Sequence, residues 1–131
     1  MRPSEQRNTR QKRAIRDVFE RAKRPLSTDE IYAEAQGEIR TLGIATVYRA
    51  IRSMLDDGWL TPVDVPGRTT LYERSGKGHH HHFACTSCAR VYELEGCSSD
   101  VRGDLPEGFI ATGHEVTLYG RCASCARFTN Q

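Results

Sequence analysis

The sequence predicts an α+β protein in which an N-terminal winged helix-turn-helix is followed by a small α/β domain with a four-cysteine zinc site. Three observations lead to this prediction. Three helical patterns precede a hairpin pattern in the sequence. Four consecutive histidines follow, away from either end of the chain, and two CxxC pairs lie after them. We expect a winged-helix domain over residues 1–75, a hinge with the histidine cluster over 76–82, and a metal-binding domain over 83–131.

The first half of the chain has the pattern of three helices. From Thr9 to about Ala22, apolar residues recur at the spacing of one helix face. Ser27 and Glu30 have the spacing of a capping box, which marks the start of a second helix. An apolar stripe identifies the third helix: Ile44, Val47, Ile51, Met54 and Leu55.

A hairpin pattern follows the third helix, with two short strands over residues 60–75 around a turn that has Arg68 at its tip. This order is typical of a winged helix, whose third helix enters the major groove of DNA. The polar side of that helix carries residues suited to bases and phosphates: Thr46, Tyr48, Arg49 and Arg52. We therefore predict double-stranded DNA as a partner, the alternative being an ordinary solvated helix face.

Charge and hydropathy restrict the class of protein further. Through Pro25 there are nine Lys or Arg against three Asp or Glu, whereas from Phe83 onward there are four against six. This distribution favours contact between a polyanion and the front of the chain alone. No apolar run approaches the roughly 20 residues of a membrane span, and no signal core follows the N-terminus. We expect a cytoplasmic protein without a membrane partner, whose reduced cysteines are available to a metal.

The cysteines form two pairs with the spacing of zinc ligands. Cys85 and Cys88 make one CxxC, and Cys122 and Cys125 make the second. Two such pairs complete a tetrahedral structural zinc site. The 33 residues between the pairs exceed the spacing of a simple zinc ribbon, so a folded subdomain must bring them together. The alternative, a thioredoxin-like redox pair, lacks the βαβ setting that such a pair needs.

The four histidines lead into a predicted strand. Because side chains alternate along a strand, His79 and His81 should face one way, and His80 and His82 the other. Four imidazoles in one strand cannot converge on a single ion, but they can supply two ligands to each of two centres. The alternative is a solvent-exposed polar linker, which four histidines beside a cysteine pair make the weaker interpretation.

The first of these centres takes its other ligands from the wing and the following strand. Glu73 of the second wing strand is a candidate to join His80 and His82. Glu93 or Asp64 is a candidate for completing this set.

The second centre draws on the late part of the chain. His114, on a predicted strand near the end, is a candidate to join His79 and His81. Asp100 or the spare thiol of Cys97 is a candidate fourth ligand, and the favoured alternative for Cys97 is a small buried residue.

The segments ATVYRAIRSM, HHHHFAC and TLYGRCASC, taken together with the two CxxC pairs, resemble the ferric uptake regulator (Fur) family of bacterial metal-dependent repressors. The resemblance extends from about Thr9 to Cys125. It implies an N-terminal winged helix, a C-terminal α/β dimerisation domain, and binding of a DNA operator as a homodimer when metal is present.

The resemblance also implies roles for individual positions. The base-contacting positions of the family correspond to Tyr48 and Arg49. Its structural zinc ligands correspond to Cys85, Cys88, Cys122 and Cys125. Its sensing-site ligands correspond to Glu73, His80, His82 and, in some members, Glu93. Its second site corresponds to His79, His81 and His114.

Two positions depart from the family pattern. Pro25 stands where iron-type members often have a sensing-site histidine, and Ser75 stands where many zinc-type members have a cysteine ligand. The fourth ligand of the sensing site is therefore open.

We predict a metal-responsive repressor of metal homeostasis genes rather than an enzyme, with structural Zn²⁺ and regulatory Zn²⁺ or Fe²⁺. Zinc is the favoured effector, and an iron-responsive or peroxide-sensing repressor is the alternative. A zinc-dependent hydrolase with Glu73 or Glu93 as general base is more remote, because the chain has no HExxH motif and no nucleophile dyad. A constitutive DNA-binding protein with purely structural zinc is a third hypothesis.

Overall fold

The fold is taken from a computed structural model that describes residues 3–76, 80–96 and 105–127. The chain divides into two compact units, Met1–Lys77 and Gly78–Gln131. The finer division into a winged-helix domain, a hinge and a metal-binding domain stays a prediction.

Three helices build the first unit: α1 (Pro3–Ala22), α2 (Thr28–Glu38) and α3 (Ile44–Asp56). Helix α1 begins earlier than the predicted Thr9. The sequence did not indicate this start because residues 3–8 show no apolar periodicity, although Glu5, Gln6 and Arg7 have good helix propensity.

The predicted capping box is present at the start of α2. The Glu30 N–H donates to the Ser27 Oγ atom at 3.1 Å, and the Ser27 N–H donates to Glu30 Oε1 at 3.2 Å. Arg24 donates to the same Glu30 carboxylate at 2.6 Å. Although burial acts to raise the pKa of Glu30, these bonds keep that pKa below its ordinary value.

A two-stranded antiparallel wing follows, made of β1 (Leu60–Val63) and β2 (Leu71–Arg74). The segment between α1 and α2 pairs with it, since Leu26 and Tyr72 exchange two backbone hydrogen bonds of 2.8 Å. The wing is thereby joined to the helices by backbone bonds as well as by side chains.

One apolar cluster fills the first unit. Its buried members come from the three helices, the segments between them and β1: Ala14, Ile15, Val18, Phe19, Leu26, Ile31, Ala35, Ile39, Leu42, Val47, Ile51, Met54 and Leu60. Ile44 belongs to the apolar stripe of the third helix in the sequence, but it is 38% exposed. As the first residue of α3, it lies beyond the part of the helix that the other elements cover.

The second unit contains a three-stranded sheet in the order β4-β3-β5. Its strands are β3 (His80–Cys85), β4 (Val91–Glu95) and β5 (Thr117–Gly120), and a short helix α4 (Ala123–Ala126) follows. Strand β3 is antiparallel to β4 and parallel to β5. The sheet therefore places the end of β5 beside the end of β3.

Strand β5 is shorter than predicted. The alternating pattern that starts before His114 predicted a longer strand, but β5 begins at Thr117, so His114 lies in the irregular segment ahead of it. Between β4 and β5, residues 97–104 lie outside the described part of the chain, and residues 105–108 are not helical.

The structure confirms the α+β class, with an N-terminal winged helix and a four-cysteine cluster in the small second unit. Within the described residues, none of the helices combines the length and apolar character that crossing a membrane requires.

The capping box gives a stability prediction. Replacing Ser27 with Ala removes the acceptor for the Glu30 N–H, and we expect a loss of about 1 kcal/mol in the free energy of unfolding. Urea denaturation of the metal-loaded protein measures this change. Thr69→Ala, at an exposed position of the wing loop, is the control and should leave the unfolding free energy within about 0.5 kcal/mol. Equal effects of the two substitutions would contradict the prediction.

Candidate metal centres

The four predicted zinc ligands of the second unit lie together. The sulfurs of Cys85, Cys88, Cys122 and Cys125 are all within 4.8 Å of one another. The sulfurs of Cys88 and Cys122 are 3.8 Å apart. A tetrahedral ion with Zn–S bonds of about 2.3 Å requires sulfurs about 3.8 Å apart, so this arrangement fits zinc. A closed set of four thiolates has no open coordination position, which is typical of a structural site.

The sheet and a tight turn bring these cysteines together. Strand β3 ends at Cys85, and the chain reverses so that the Ala89 N–H donates to the Cys85 carbonyl oxygen at 3.2 Å. Ala89 has a φ of 65°, in the left-handed region that such a turn demands. The Thr86 N–H donates to the Gly120 carbonyl oxygen at 2.7 Å. The turn is thus fastened to the end of β5, from which the chain continues directly to Cys122.

Gly120 leaves space beside its backbone for the ring of Phe83. A Cβ atom on Gly120 would lie 3.1 Å from Cζ of Phe83, closer than an ordinary van der Waals contact. The absence of a side chain therefore lets β5 approach β3 two residues before Cys122.

Backbone N–H groups stabilise the Cys85 thiolate. The Cys88 and Cys122 N–H groups both lie 3.4 Å from its sulfur. These hydrogen bonds, opposed by desolvation, lower the pKa of Cys85 to about 6. The Cys125 N–H and the Tyr92 hydroxyl lower the pKa of Cys122 in the same way.

The pKa of Cys125 is shifted in the opposite direction. Its hydrogen bond to Cys122, together with burial and bonds to the other two sulfurs, raises the pKa of Cys125 to about 12. Four close sulfurs cannot all carry negative charge without a cation, so the last proton is retained. A divalent ion supplies the charge that displaces it.

The histidine side chains of β3 separate onto two faces. The rings of His80 and His82 lie on one face with their centroids 4.9 Å apart. His81 points the other way and is buried, and its Nε2 atom lies 3.2 Å from Nε2 of His114. His79 lies outside the described residues, so its position on the second face stays a prediction.

Two carboxylates share the face of His80 and His82. In the β3–β4 register Glu93 is directly opposite His82, as predicted for a candidate ligand, and Glu95 is directly opposite His80. Residues opposite one another across a ladder project to the same side of the sheet. Glu95 was missed by the sequence reasoning, although the spacing of Glu93 and Glu95 matches that of the two histidines.

The remaining candidate for this centre belongs to the first unit. Glu73 lies in β2 and is buried, with 6% of its surface exposed. Asp64, the other candidate, accepts a hydrogen bond from the Thr70 hydroxyl at 3.0 Å in the wing loop. The predicted site of Glu73 with His80 and His82 joins residues of both units and stays a prediction.

The second predicted centre is partly described. The 3.2 Å between Nε2 of His81 and Nε2 of His114 is near the roughly 3.4 Å edge of a tetrahedron with Zn–N bonds of about 2.1 Å. The Val116 N–H donates to Nδ1 of His81 at 3.2 Å. Asp100 and Cys97 lie outside the described residues.

The polar side of α3 is open to solvent. Tyr48 is 57% exposed, Arg52 is exposed, and Arg49 donates to the Thr46 hydroxyl at 3.1 Å. Tyr48, Arg49 and Arg52 line an open groove to which Tyr72 of the wing also contributes. Tyr72 was not predicted as part of this surface, because the alternation of residues in β2 does not indicate which face of the strand meets α3.

Arg68 lies at the tip of the wing. The Arg68 N–H donates to the Val65 carbonyl oxygen at 3.1 Å, which closes the turn at Gly67, where φ is 77°. The side chain is partly buried and has contacts within the structure.

Most of the chain matches a known protein family. The family model described as "Ferric uptake regulator family" matches residues 4–119. The chain belongs to the ferric uptake regulator family. This confirms the resemblance inferred from the motifs, and it assigns the chain to a family of metal-dependent transcriptional regulators.

Individual members of the Fur family resemble the chain over most of its length. The ferric uptake regulation protein of Bordetella parapertussis is 30% identical over 117 residues, which cover 86% of this chain and 84% of that protein. The zinc uptake regulation protein of Mycobacterium tuberculosis is 29% identical over 124 residues, covering 91% and 94%. The solved structure of the Vibrio cholerae ferric uptake regulator superposes with a TM-score of 0.65 at 27% identity, covering 86% of this chain and 88% of that one.

The cysteine cluster of this Fur-family chain gives a first prediction on metal content. Cys122→Ser removes one of four thiolates, and we expect the loss of one bound zinc per chain together with destabilisation by several kcal/mol. Metal analysis and thermal unfolding measure the two effects. Ser87→Ala, in the turn between the first two ligands, is the control and should retain the zinc. Full zinc occupancy in the Cys122→Ser protein would contradict a four-thiolate site.

The thiol pKa values give a second prediction, on protons. Zinc needs all four thiolates, so its binding displaces the Cys125 proton at every pH below about 12. The Cys85 proton must be displaced only below about pH 6, because above that value this thiolate has already formed. Binding of the structural zinc should therefore release at least about one more proton at about pH 5 than at about pH 7.5, since the lowered pKa of Cys122 acts in the same direction.

Calorimetry of zinc binding in buffers of different ionisation enthalpy counts these protons. Equal proton release at the two pH values would contradict the assigned pKa of Cys85.

Proposed function

We propose that this chain is a metal-responsive, sequence-specific repressor of metal homeostasis genes that binds operator DNA as a cytoplasmic homodimer, with zinc as the effector. The observation that carries the proposal is the combination of an exposed basic and aromatic face on α3 with a face of two histidines and two glutamates on β3 and β4. The first is suited to DNA and the second to a divalent cation, and each lies in a different unit.

The DNA interface is proposed for the outer side of α3. Tyr48 and Arg52 are exposed there, and the apolar face of the same helix is fixed in the core by Val47 and Met54. A helix that is rigid on one side and offers arginines on the other can enter the major groove without reorganisation. Thr46 and Arg49 belong to this surface, and Arg68 is proposed to contact the DNA backbone from the wing.

The sensing site is proposed for His80, His82 and Glu93, with Glu73 of the first unit as a further ligand. Residues supplied by two units form a complete site in one relative orientation of those units alone. Metal therefore stabilises that orientation, and the free energy of stabilisation equals the difference in metal-binding free energy between the complete and the incomplete site. In a homodimer this orientation would place two α3 helices about one DNA turn apart.

Zinc is the proposed effector, and iron is the alternative. All four cysteines that the structure describes belong to one cluster, so the sensing face offers nitrogen and oxygen donors. Such donors suit zinc, iron and manganese alike. The similarity to the zinc uptake regulation protein of M. tuberculosis, which extends over 94% of that protein, supports zinc. The similarity to the ferric uptake regulation protein of B. parapertussis supports iron.

A homodimer is proposed because the second unit exposes large apolar side chains. They lie in β5 and in the segment before it: Phe109, Ile110, Leu118 and Tyr119. Ile110 is 87% exposed. Strand β5 is also an edge of the sheet, and both features favour contact with a second copy.

The sensing site can be tested with selected DNA. Duplexes that bind the zinc-loaded protein are first enriched from a random pool, and their affinity is then measured with and without zinc in excess of the structural ion. We expect wild type to gain at least about tenfold in affinity from zinc, and the double variant His80→Ala with His82→Ala to lose that gain.

His114→Ala is the matched control, since it removes an imidazole from the other face of β3. It should retain the gain within about threefold. An unchanged gain in the double variant, or its loss in the control alone, would contradict sensing at His80 and His82. Titration with Fe²⁺ under anaerobic conditions decides between the two effectors.

The DNA face has a separate test. Arg52→Ala should cost about 1–3 kcal/mol in affinity for the selected duplex, because a groove contact is lost. The control is Arg40→Ala, which removes the same charge from an exposed position between α2 and α3 and should cost less than about 0.5 kcal/mol. Equal losses would indicate a general charge effect instead of a contact through α3.

A further inference from the structure

The end of the wing is fastened to the rest of the first unit immediately before the chain leaves it. Nη1 of Arg74 donates to both carboxylate oxygens of Glu20 in α1, at 2.7 and 2.9 Å. The Ser75 N–H donates to the Trp59 carbonyl oxygen at 2.9 Å, and the hydroxyls of Ser75 and Thr61 are 2.5 Å apart. The fixed part of the backbone therefore extends through Ser75.

Trp59 is the centre of this attachment. The guanidinium carbon of Arg74 lies 5.7 Å from the centroid of the Trp59 ring, and that of Arg16 lies 5.1 Å from it. Both distances are within the range of a cation–π contact. Phe19 packs its ring edge-on against Trp59 at 5.9 Å. Residues from α1 and from the end of β2 thus meet at the ring of Trp59, the residue directly before β1.

We call the group of Glu20, Trp59 and Arg74 the wing clamp. Side chains alternate along β2, so Arg74 and Tyr72 point to one side and Glu73 to the other. Tyr72 packs against the helical core, which identifies that side as the one facing the helices. The clamp holds the backbone after Glu73, and the Leu26–Tyr72 backbone pair holds it before Glu73, while the Glu73 side chain projects to the opposite face.

The wing needs such an attachment. A two-stranded hairpin is only marginally stable by itself, so an unattached end of β2 would move independently of the helices. Gly76, two residues after Arg74, has a φ of 82°, a conformation that glycine adopts without the strain that other residues would have.

We propose that the wing clamp makes Glu20, Trp59 and Arg74 positioning residues for metal sensing. They carry a displacement of Glu73 into α1 and the helical core. Without the clamp, the end of β2 would adjust to the ion while α3 kept its position. This inference rests on the proposed function, because it assumes that Glu73 contacts the sensed metal and that α3 contacts DNA.

The test measures the gain in affinity for the selected duplex that zinc produces, with the structural zinc retained throughout. Arg74→Met removes the ion pair and the ring contact, and we expect the gain to fall about fivefold. Glu20→Gln removes the charge of the ion pair alone, and about a twofold to threefold fall is expected. Arg74→Lys keeps the charge and should retain more of the gain than Arg74→Met.

Asp57→Asn is the matched control for Glu20→Gln. Asp57 forms an ion pair with Lys12 of α1 at 3.1 Å. The side chain of Asp57 is 53% exposed, and that of Glu20 is 49% exposed. Both substitutions remove one negative charge from the first unit, so any change in general attraction to DNA is shared. Asp57→Asn should leave the zinc-dependent gain within about twofold of wild type, because it lies outside the clamp.

A merely structural role would lower DNA affinity equally with and without zinc and leave the gain unchanged. That result in Arg74→Met, or equal loss of the gain in Glu20→Gln and Asp57→Asn, would overturn the clamp. Wild-type protein without any zinc-dependent gain would instead overturn the proposed function, so the two failures are distinguishable.

Discussion

The alternation of side chains along β3 is the constraint on which the chemistry of the second unit depends. This strand is central in the sheet, bonded to β4 on one side and to β5 on the other. Its first residues send His80 and His82 to one face and His81 to the other, and its last residue is Cys85. A shift of one residue in the register with β4 would take Glu93 away from the face of His82. The same hydrogen bonds that define the sheet therefore define its sets of donors.

The two units are stabilised by different means. The first has a continuous apolar core, whereas the buried apolar residues that the structure describes in the second are Ala84, Cys85 and Val91. Domains with small apolar cores commonly depend on a metal or on oligomerisation for their stability. Four thiolates joined by one ion take the place of a larger apolar core, because they link the ends of β3 and β5 with α4. The structural metal is in this sense part of the core of the second unit.

The sequence predicted best those features that depend on local pattern. Helices α2 and α3, the capping box at Ser27 and the convergence of the two CxxC pairs all follow from spacing. The start of α1 could not be predicted in this way, because the residues before Thr9 show no apolar periodicity in the sequence. Glu95 and Tyr72 were missed for another reason, since their placement depends on strand register and on the way the wing meets α3, which no single segment encodes.

A metal can act as a switch in such a chain only if each unit moves as a body. The first unit satisfies this condition along its length, from the Leu26–Tyr72 backbone pair at the middle of the wing to the Ser75 N–H bond at its end. The ion-pair partner of Arg74 is on α1, the same helix that contributes Ile15 and Val18 to the core. A force applied to β2 is then shared by the packed helices, whose dense core deforms little. Backbone bonds that continue as far as Ser75 are therefore what the proposed switch requires of the first unit.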